Sequence, residues 1–340
     1  MNFDKEVFKN KKVLITGHTG FKGSWLALWL SKMGAKVYGV SNNIPTKPSN
    51  FEILNLEKDI TDIRIDIKDS KLLINKVKEI EPQFLFHLAA QSLVKKSYEK
   101  TPETYLTNTF GTINVMESLR TLENNCTAVL ITSDKVYKNK EWVWGYKESD
   151  QIGGYDPYSA SKGCAEIIIS SYYKSFFEFS ENIKFGVARA GNVIGGGDWA
   201  PNRIIPDCIK SWMNNEEVIL RNPLSTRPWQ HVLEPLSGYL TLAAALYEGK
   251  IKNGEAFNFG PIAEQNRSVE ELVIKLIDYF PKAKFKIKKE ERAIYKEAKL
   301  LKLNCDKAFS ELNWLPRFSF EQTIAETAQW YSLFIQKNSE

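Results

Sequence analysis

The chain has 340 residues and an ordinary hydrophobic share of 43%, which is enough for a substantial core in one large domain or two lobes. Its formal net charge of +5 comes from lysines that are scattered or mixed with acidic residues, so no nucleic-acid partner is predicted. The sequence contains neither a run of about eighteen apolar residues nor the apolar core of a signal peptide, so we expect no membrane contact. The four cysteines are far apart and predict no metal site and no disulfide framework, as expected of a cytoplasmic protein.

The N-terminal segment has the pattern of a dinucleotide-binding turn. Residues 12–16 predict a buried strand, residues 17–23 a glycine-rich turn, and a helix and a strand at 35–40 follow. Of the glycines, the first would permit the tight turn, the second would let the backbone approach a pyrophosphate, and the third would let the helix pack closely on the strand. The positive end of the helix would attract the phosphates. In this turn the residues predicted to bind the cofactor are Gly17, His18, Gly20, Phe21, Lys22 and Gly23.

The alternation of strands and helices continues through the first half of the chain. We predict strands at 63–67, 84–88 and 129–133, and helices at about 70–80, 104–123 and 158–178. This order predicts an α/β fold, a Rossmann-type doubly wound parallel sheet with helices on both faces. We expect residues 1–186 to form mainly the dinucleotide-binding domain. Residues 187–340 would form mainly a smaller C-terminal substrate-binding lobe, with some strands returning to the first domain.

Ligands of such a sheet lie at the carboxyl ends of its strands. Asp66 and Ile67 end the third predicted strand, where a carboxylate and a backbone group can meet an adenine edge. A helix N-cap is an equally good interpretation of Asp66. Ala89 and Ala90 follow the fourth strand, and their small side chains would let a cofactor ribose lie against the backbone. We therefore predict that all four residues contact the cofactor.

Tyr158 and Lys162 stand four residues apart at the start of a predicted helix. This spacing puts both side chains on one helix face, and Asp156 and Pro157 are a suitable N-cap and first helical residue. An ammonium near a phenol favours the phenolate and lowers its pKa. The pair therefore predicts a general base that works near neutral pH.

Three polar residues, Ser133, Asp134 and Lys135, follow the fifth predicted strand. They place a hydroxyl, a carboxyl and an ammonium at the edge of the sheet where a nicotinamide would lie. A simple turn is the alternative interpretation. The position of these residues shortly before Tyr158 favours an active-site role.

These motifs together resemble the extended short-chain dehydrogenase/reductases, and specifically the nucleotide-sugar 4,6-dehydratases of the CDP-glucose type. The similarity spans nearly the whole chain. It is carried by residues 17–25, 87–91, 133–137, 189–199 and 227–232, by Asn108 and by the Tyr158/Lys162 pair.

The resemblance implies conversion of CDP-glucose to CDP-4-dehydro-6-deoxy-glucose in deoxysugar biosynthesis, with NAD⁺ as a cofactor that is regenerated in every turnover. Tyr158 would take the proton of the 4-hydroxyl group, Ser133 would bind the C4 oxygen, and Asp134 would protonate the departing 6-hydroxyl group. Lys162 would bind the nicotinamide ribose and hold Tyr158 ionised. Asn108 would steady that lysine through a water molecule.

The chain departs from the wider family pattern in two places. Lys135 stands where relatives that use Thr-Asp-Glu have a glutamate as the base for C5. Either a neutral Lys135 takes the C5 proton, or it stabilises the enolate while another group takes the proton. Residues 41–43, Ser-Asn-Asn, replace the acid that usually binds the adenosine ribose, and Lys22 could reach a phosphate. NADP⁺ therefore stays open, and NAD⁺ is preferred because the resemblance implies it.

Polar residues of the second half suit a sugar nucleotide diphosphate. The resemblance makes Asn192 the best candidate for the substrate phosphates, and Arg227 is the best-placed arginine because it opens the 227–232 motif. The predicted substrate-binding residues are Gln91, Asn192, Arg203, Arg227 and Arg292. We interpret His87 as a core histidine and His231 as structural, with no metal site.

Two other functions stay open. A nucleotide-sugar 4-epimerase, or a dehydratase of another nucleotide sugar, would share the Tyr158/Lys162 pair, although an epimerase has no need of Asp134 as an acid. A dinucleotide-sensing protein without turnover is a more remote alternative. The long helices at 104–123 and 158–178 pair between subunits in this family, so a homodimer or homotetramer is expected.

Overall fold

The computed structural model describes residues 4–262, 266–288 and 300–338. The strands are β1 (Lys12–Thr16), β2 (Lys36–Ser41), β3 (Thr61–Arg64), β4 (Phe84–His87), β5 (Cys126–Ile131), β6 (Ile183–Ala190), β7 (Val193–Ile194), β8 (Val218–Leu220), β9 (Thr226–Pro228), β10 (Gln230–His231), β11 (Ala256–Phe259), β12 (Asn266–Ser268) and β13 (Phe285–Ile287). The helices are α1 (Phe21–Lys32), α2 (Asn50–Ile53), α3 (Ser70–Ile80), α4 (Val94–Glu99), α5 (Thr101–Tyr105), α6 (Gly111–Arg120), α7 (Pro157–Tyr172), α8 (Ile204–Met213), α9 (Leu233–Tyr247), α10 (Val269–Ile277), α11 (Asp306–Leu312) and α12 (Phe320–Lys337).

Within these ranges, seven strands form one parallel sheet in the order β11-β6-β5-β4-β1-β2-β3. Helices cover both faces, because alternate residues of a strand point to opposite sides of a sheet. In β1, Val13 and Ile15 belong to a core with residues of α1 and α9, whereas Leu14 belongs to a second core with residues of α3 and α6. The predicted Rossmann-type doubly wound fold is confirmed.

Several element boundaries differ from those predicted. The edge strand β3 ends at Arg64, which pairs with the last residue of β2, Ser41, so the chain has no strand partner beyond this point. Asp66 and Ile67 therefore follow the strand instead of ending it. The helix predicted at 104–123 is divided into α5, a π-helical turn over Leu106–Phe110, and α6. Such wide turns occur often at functional sites.

The second lobe has its own hydrophobic core, formed by residues of α8, α10 and α12. Short strand pairs, β7 with β10, β8 with β13 and β9 with β12, lie around it. The strand β6 runs across the predicted boundary between residues 186 and 187, and β11 returns to the first sheet. We propose that the second lobe begins after Ala190.

None of the described helices combines the length and the apolar character that a bilayer span requires.

The turn between β1 and α1 leaves no room for a side chain at its last glycine. A Cβ atom on Gly23 would lie 2.1 Å from the carbonyl oxygen of Gly17, whereas one on Gly20 would meet nothing closer than 3.4 Å. Gly20 also has an ordinary φ of −75°. We expect Gly23→Ala to lower the free energy of unfolding by about 2 kcal/mol or more, because backbone must move, and Gly20→Ala to leave it nearly unchanged. Thermal unfolding of the two variants without added ligands tests this. Equal stability would show that α1 does not need the close contact.

Candidate active site

A cavity of about 1790 Å³ lies at the carboxyl edge of the parallel sheet, and residues of both lobes line it. Its catalytic end is lined by Ser133, Asp134, Lys135, Tyr158 and Lys162. The other end, here called the β2–β3 end, is lined by residues 41–43 and by Asp66 and Ile67. The cavity therefore brings together most of the residues that the sequence predicted for cofactor, substrate and chemistry.

The glycine turn forms one wall of the cavity. Gly17 has a φ of +80°, and a Cβ atom there would lie 2.7 Å from the backbone nitrogen of Ala89, so only glycine fits. Gly20, Phe21, Lys22 and Gly23 all line the cavity. The helix α1 starts behind Gly20 without a side-chain cap. Its first N–H groups and its positive end are therefore suited to bind a phosphate at this wall.

His18 is the exception within this turn. Its ring is completely buried against Gly39 of β2, and its Nε2 lies 2.9 Å from the carboxylate of Asp62 on β3. Burial lowers the pKa of His18, and Asp62 opposes this shift. The side chain does not line the cavity. That His18 contacts the cofactor therefore finds no support in its position and stays a prediction.

Lys22 points toward the catalytic end. Its ammonium donates to Tyr239 Oη at 3.4 Å. Burial lowers the pKa of Lys22 to about 8, with a further lowering by Arg203 and an opposing effect of Asp134. These neighbours do not include residues 41–43, where a 2′-phosphate of NADP⁺ would be expected. The geometry therefore does not support Lys22 as its ligand.

The β2–β3 end presents a carboxylate. Asp66 accepts hydrogen bonds from Asn42 Nδ2 at 3.3 Å and from the backbone of Lys68 at 2.9 Å. Ile67 packs its side chain on Gly111, and its carbonyl accepts a hydrogen bond from Asn114. The other predicted cofactor residues, Ala89 and Ala90, line the middle of the cavity.

Asp156 caps α7 by accepting a hydrogen bond from the backbone of Ser159, and Pro157 is the first helical residue, as the sequence predicts. The cap places Tyr158 and Lys162 on the cavity side of α7. Burial raises the pKa of Tyr158 to about 12, although a hydrogen bond with Ser133 acts in the opposite direction. Burial also lowers the pKa of Lys162 to about 8. That Lys162 lowers the pKa of Tyr158 stays a prediction, and burial is the largest effect on this phenol.

The segment after β5 forms a single 3₁₀ turn over Asp134–Val136. Ser133 Oγ accepts from the backbone of Lys135 at 3.2 Å and donates to Asp134 Oδ1 at 3.0 Å. Asp134 lines the cavity, and only 2% of it is exposed. The Lys135 ammonium lies 3.5 Å from Asn192 Oδ1. Hydroxyl, carboxyl and ammonium thus converge beside Tyr158.

The side-chain amides of Asn108 and Gln91 both have hydrogen-bond partners in the protein. Asn108 donates to Ser161 Oγ and to the carbonyl of Gln91, and accepts from the backbone of Gln91 at 2.8 Å. The Gln91 side chain is bonded to the backbone of Leu93 and to Thr104. Both amides therefore hold the chain after β4 against the π-helical turn and α7. Asn108 does not line the cavity, and the Gln91 amide already has protein partners.

The predicted substrate residues of the second lobe reach the cavity where the structure describes them. Asn192, Arg203 and Arg227 line it. Arg203 pairs with Asp198 at 3.0 Å and donates to Ser92 at 3.1 Å, so it already has two partners in the protein. Arg292 lies outside the described residues.

Two histidines behave as the sequence indicates. His87 is buried between Thr16 and Thr112, and burial lowers its pKa to about 3. Burial lowers the pKa of His231 to about 4. In the described ranges, no three His, Cys, Asp or Glu residues are grouped as a metal site requires.

Sequence reasoning missed three residues that support the site. Tyr239 lies under Lys22, and Asp198 and Ser92 hold Arg203. Asp198 lies within the 189–199 motif, which could have identified it. No sequence signal marks Tyr239, because α9 is apolar and far along the chain from the glycine turn.

The cavity fits a dinucleotide. A phosphate can lie at the open wall by Gly20, a ribose against Ala89 and Ala90, and an adenosine near Asp66. The nicotinamide would then lie at the catalytic end. There, Tyr158 can exchange a proton with a hydroxyl group and Asp134 can donate one to a leaving group.

Comparisons with known proteins agree with this geometry. The family model described as GDP-mannose 4,6 dehydratase matches residues 14–327. A curated CDP-glucose 4,6-dehydratase of Salmonella typhimurium is 48% identical over 339 residues, which cover 98% of this chain and 94% of that protein.

Solved structures share the fold. An epimerase of Methanothermobacter thermautotrophicus has a TM-score of 0.83 at 24% identity and covers 99% of this chain and 98% of its own. A dTDP-glucose 4,6-dehydratase of Bacillus anthracis, solved in complex with NAD, has a TM-score of 0.77 at 22% identity and covers 95% of this chain and 97% of its own. With the family match and the close curated relative, these findings show that the chain belongs to the nucleotide-sugar 4,6-dehydratase family.

Proposed function

We propose that this protein is a CDP-glucose 4,6-dehydratase that converts CDP-glucose to CDP-4-dehydro-6-deoxy-glucose and water. The observation that carries the proposal is the buried Asp134 carboxyl, hydrogen-bonded to Ser133 at the same end of the cavity as Tyr158. A 4-epimerase has no leaving group at C6 and needs no acid there. The cytidine nucleotide is supported by the 48% identity to the Salmonella enzyme.

The enzyme is an NAD-dependent hydro-lyase. The glycine turn, Ala89, Ala90 and Asp66 would hold NAD⁺, which would supply a hydride acceptor for C4 and a hydride donor for C6, so that the reaction has no net redox change. The residues of this chain bind the sugar and move its protons. Ser133 holds the C4 oxygen, Tyr158 takes the proton of the 4-hydroxyl group, and Asp134 protonates the departing 6-hydroxyl group.

The first step requires the Tyr158 phenol to act as a base, so it has to give up its own proton. Burial raises the pKa of Tyr158 to about 12, and the hydrogen bond with Ser133 acts in the opposite direction. Lys162 is a cation on the same face of α7. We infer that Ser133 and Lys162 favour the phenolate that the first step requires.

The C5 proton has two candidate acceptors. Lys135 stands where relatives of the wider family have glutamate, and its ammonium contacts Asn192. Lys22 lines the same cavity, and its pKa of about 8 leaves about a tenth of it neutral at pH 7. We propose Lys135 either as the acceptor or as the cation that stabilises the enolate, with Lys22 as the acceptor in the second case.

The substrate and the reaction are tested by one isotope experiment. Purified enzyme is given CDP-glucose deuterated at C4, and NMR follows the sugar. We expect deuterium on a new C6 methyl group, because the cofactor returns the hydride that it took from C4. A product that keeps its 6-hydroxyl group would indicate an epimerase. Turnover of dTDP- or UDP-glucose but not of CDP-glucose would contradict the substrate assignment.

The roles of Asp134 and Tyr158 predict different partial reactions. In Asp134→Asn, C4 oxidation continues but loss of the 6-hydroxyl group slows by about 10²- to 10⁴-fold, so reduced cofactor accumulates on the enzyme. In Tyr158→Phe, oxidation itself slows by a similar factor and no reduced cofactor appears. Absorbance of the reduced nicotinamide after rapid mixing separates the two. Accumulation in Tyr158→Phe, or its absence in Asp134→Asn, would contradict these assignments.

We also propose that the protein is a dimer formed through the π-helical turn and α7, or a tetramer that contains this dimer. Three large apolar side chains are exposed there, Leu106 by 48%, Phe110 by 55% and Ile167 by 60%. The two elements are held together by a hydrogen bond from Thr109 Oγ1 to the carbonyl of Ser161 at 3.2 Å. The two elements thus lie side by side, and each exposes apolar side chains of the kind that subunit interfaces bury.

The dimer is tested with Phe110→Glu and Ile167→Glu, which place a charge inside the proposed interface. We expect either variant to shift the protein to monomer in sedimentation velocity, because an unpaired buried carboxylate opposes association. Leu72→Glu on α3 is the control, since this side chain is 52% exposed and lies outside the proposed interface. A wild-type monomer, or a dimer that survives both substitutions, would contradict the proposal.

A further inference from the structure

A buried ion pair connects α7 to β6 directly behind the catalytic end. Glu166 and Arg189 have side chains that are 4% and 5% exposed. Arg189 Nε donates to Glu166 Oε1 at 2.8 Å, and Arg189 Nη2 donates to Oε2 at 2.9 Å, so the pair is bidentate. Neither residue lines the cavity, and the proposed reaction uses neither.

The pair holds both ends of the catalytic segment. Thr132, the residue before Ser133, donates from Oγ1 to Glu166 Oε1 at 2.6 Å. Tyr137 lies just after the 3₁₀ turn and receives a hydrogen bond from Arg189 Nη1 at 2.9 Å. Residues 133–136 are thus spanned by two bonds to one ion pair. One bond goes to the carboxylate and the other to the guanidinium.

Arg189 and Tyr137 also form hydrogen bonds with other parts of the fold. Arg189 Nη1 also donates to the carbonyl of Glu148 at 2.9 Å. Tyr137 Oη donates to Asn258 Oδ1 at 2.7 Å, and the backbone of Asn258 donates to the Glu148 carboxylate at 2.7 Å. The Tyr137 ring is stacked on Tyr146 at 5.1 Å. The hydroxyl of Tyr137 is therefore fixed from several directions.

Stability alone is a weak reason for such a pair. Removing two charges from water is costly, and well-packed apolar residues stabilise a core equally well or better. An apolar pair, however, would have no directional bonds to Thr132 and Tyr137. The directions of these bonds are what the pair adds to the fold.

We propose that Glu166 and Arg189 are positioning residues for catalysis. They clamp residues 133–136 to α7, so that Ser133 and Asp134 keep a fixed position relative to Tyr158 on that helix. This proposal rests on the proposed function in one respect, which is that Ser133, Asp134 and Tyr158 act in the same reaction. The clamp itself is independent of which nucleotide sugar is bound.

Glu166 has a second effect, on Lys162. It lies one helical turn after Lys162 on α7, and its charge raises the pKa of Lys162 against the lowering by burial. The other titratable groups that face Lys162 are Tyr158 on α7, His87 on β4 and Lys22 at the start of α1. His87 is neutral, and Lys22 is a cation that disfavours a second charge. The carboxylate of Glu166 therefore helps to keep Lys162 protonated.

Conservative variants at each end of the clamp test the proposal. Thr132→Val and Tyr137→Phe each remove one hydroxyl group and leave the ion pair in place. We expect each to lower kcat by about 10- to 100-fold while KM changes less than about 2-fold, because a small misplacement of reacting groups has effects of this size. The double variant should lose less than the product of the two factors, since both substitutions release the same segment.

Matched controls separate positioning from general damage. Thr127 lies on β5, which ends directly before Thr132, and Tyr146 is stacked on Tyr137. The Tyr146 hydroxyl group bonds to Lys140 and Asn139 and not to the ion pair. The controls are Thr127→Val and Tyr146→Phe. We expect both controls to keep kcat within about 2-fold at a comparable loss of thermal stability. Unchanged kcat in Thr132→Val and Tyr137→Phe, or an equal loss in the controls, would overturn the clamp.

The effect on Lys162 is tested by the pH dependence of kcat. Glu166→Gln combined with Arg189→Gln removes both charges, so no buried charge is left unpaired. Because Glu166 raises the pKa of Lys162, its removal lowers that pKa, and the alkaline limb of the profile should move to lower pH. An alkaline limb at the wild-type position would overturn this second role. If the double variant does not fold, the kcat comparison of the hydroxyl variants still decides the clamp.

These measurements use whichever nucleotide sugar the wild-type enzyme converts. If CDP-glucose is not converted but another nucleotide sugar is, the substrate assignment fails and the clamp is tested unchanged. If CDP-glucose is converted and the hydroxyl variants behave like their controls, the clamp fails and the proposed function stands.

Discussion

Unbalanced positive charge at the carboxyl edge of the sheet is the constraint on which the active site depends. Lys22, Lys135, Lys162 and Arg203 line one cavity, and the carboxylates nearest to them are Asp134, Asp198 and, behind the wall, Glu166. Burial lowers the pKa values of Lys22 and Lys162 to about 8. Such a site gains most by binding anions, and a dinucleotide and a sugar nucleotide each bring a diphosphate. The residues of the chain do not neutralise this positive charge, so the anionic ligands do.

The fold could be predicted from the sequence because its signals are local. The strand at 12–16, the helix at 70–80 and the capped start of α7 lie where the pattern predicts them. Ser268 and Glu271 likewise form the capping box that their spacing indicates. Each of these depends on residues within a few positions of one another, so the sequence alone carries the information.

The site could be predicted less completely, because roles there depend on residues that are distant in the chain. The His18 ring packs against β2 because Gly39 has no side chain there, and its Nε2 has a partner in the Asp62 carboxylate. The Asn108 side chain forms hydrogen bonds with the backbone of Gln91 and with Ser161. The pKa of Tyr158 likewise depends mainly on burial, which is a property of the assembled fold and not of its spacing to Lys162. Sequence spacing identifies such residues, but it does not show which partners they meet.

The glycines at 195–197 show how the two lobes enclose the reaction. A Cβ atom on Gly196 would lie 2.0 Å from the Trp330 ring of α12, and one on Gly197 would lie 2.2 Å from Asn50 of α2. The carbonyl of Gly196 accepts a hydrogen bond from Trp25 of α1 at 2.9 Å. Residues 196 and 197 thus contact α1 and α2 of the first lobe and α12 of the second lobe. A reaction that takes a hydride from C4 and returns it at C6 requires the sugar and the cofactor to stay bound together. Residues 195–197, which contact elements of both lobes, favour this retention.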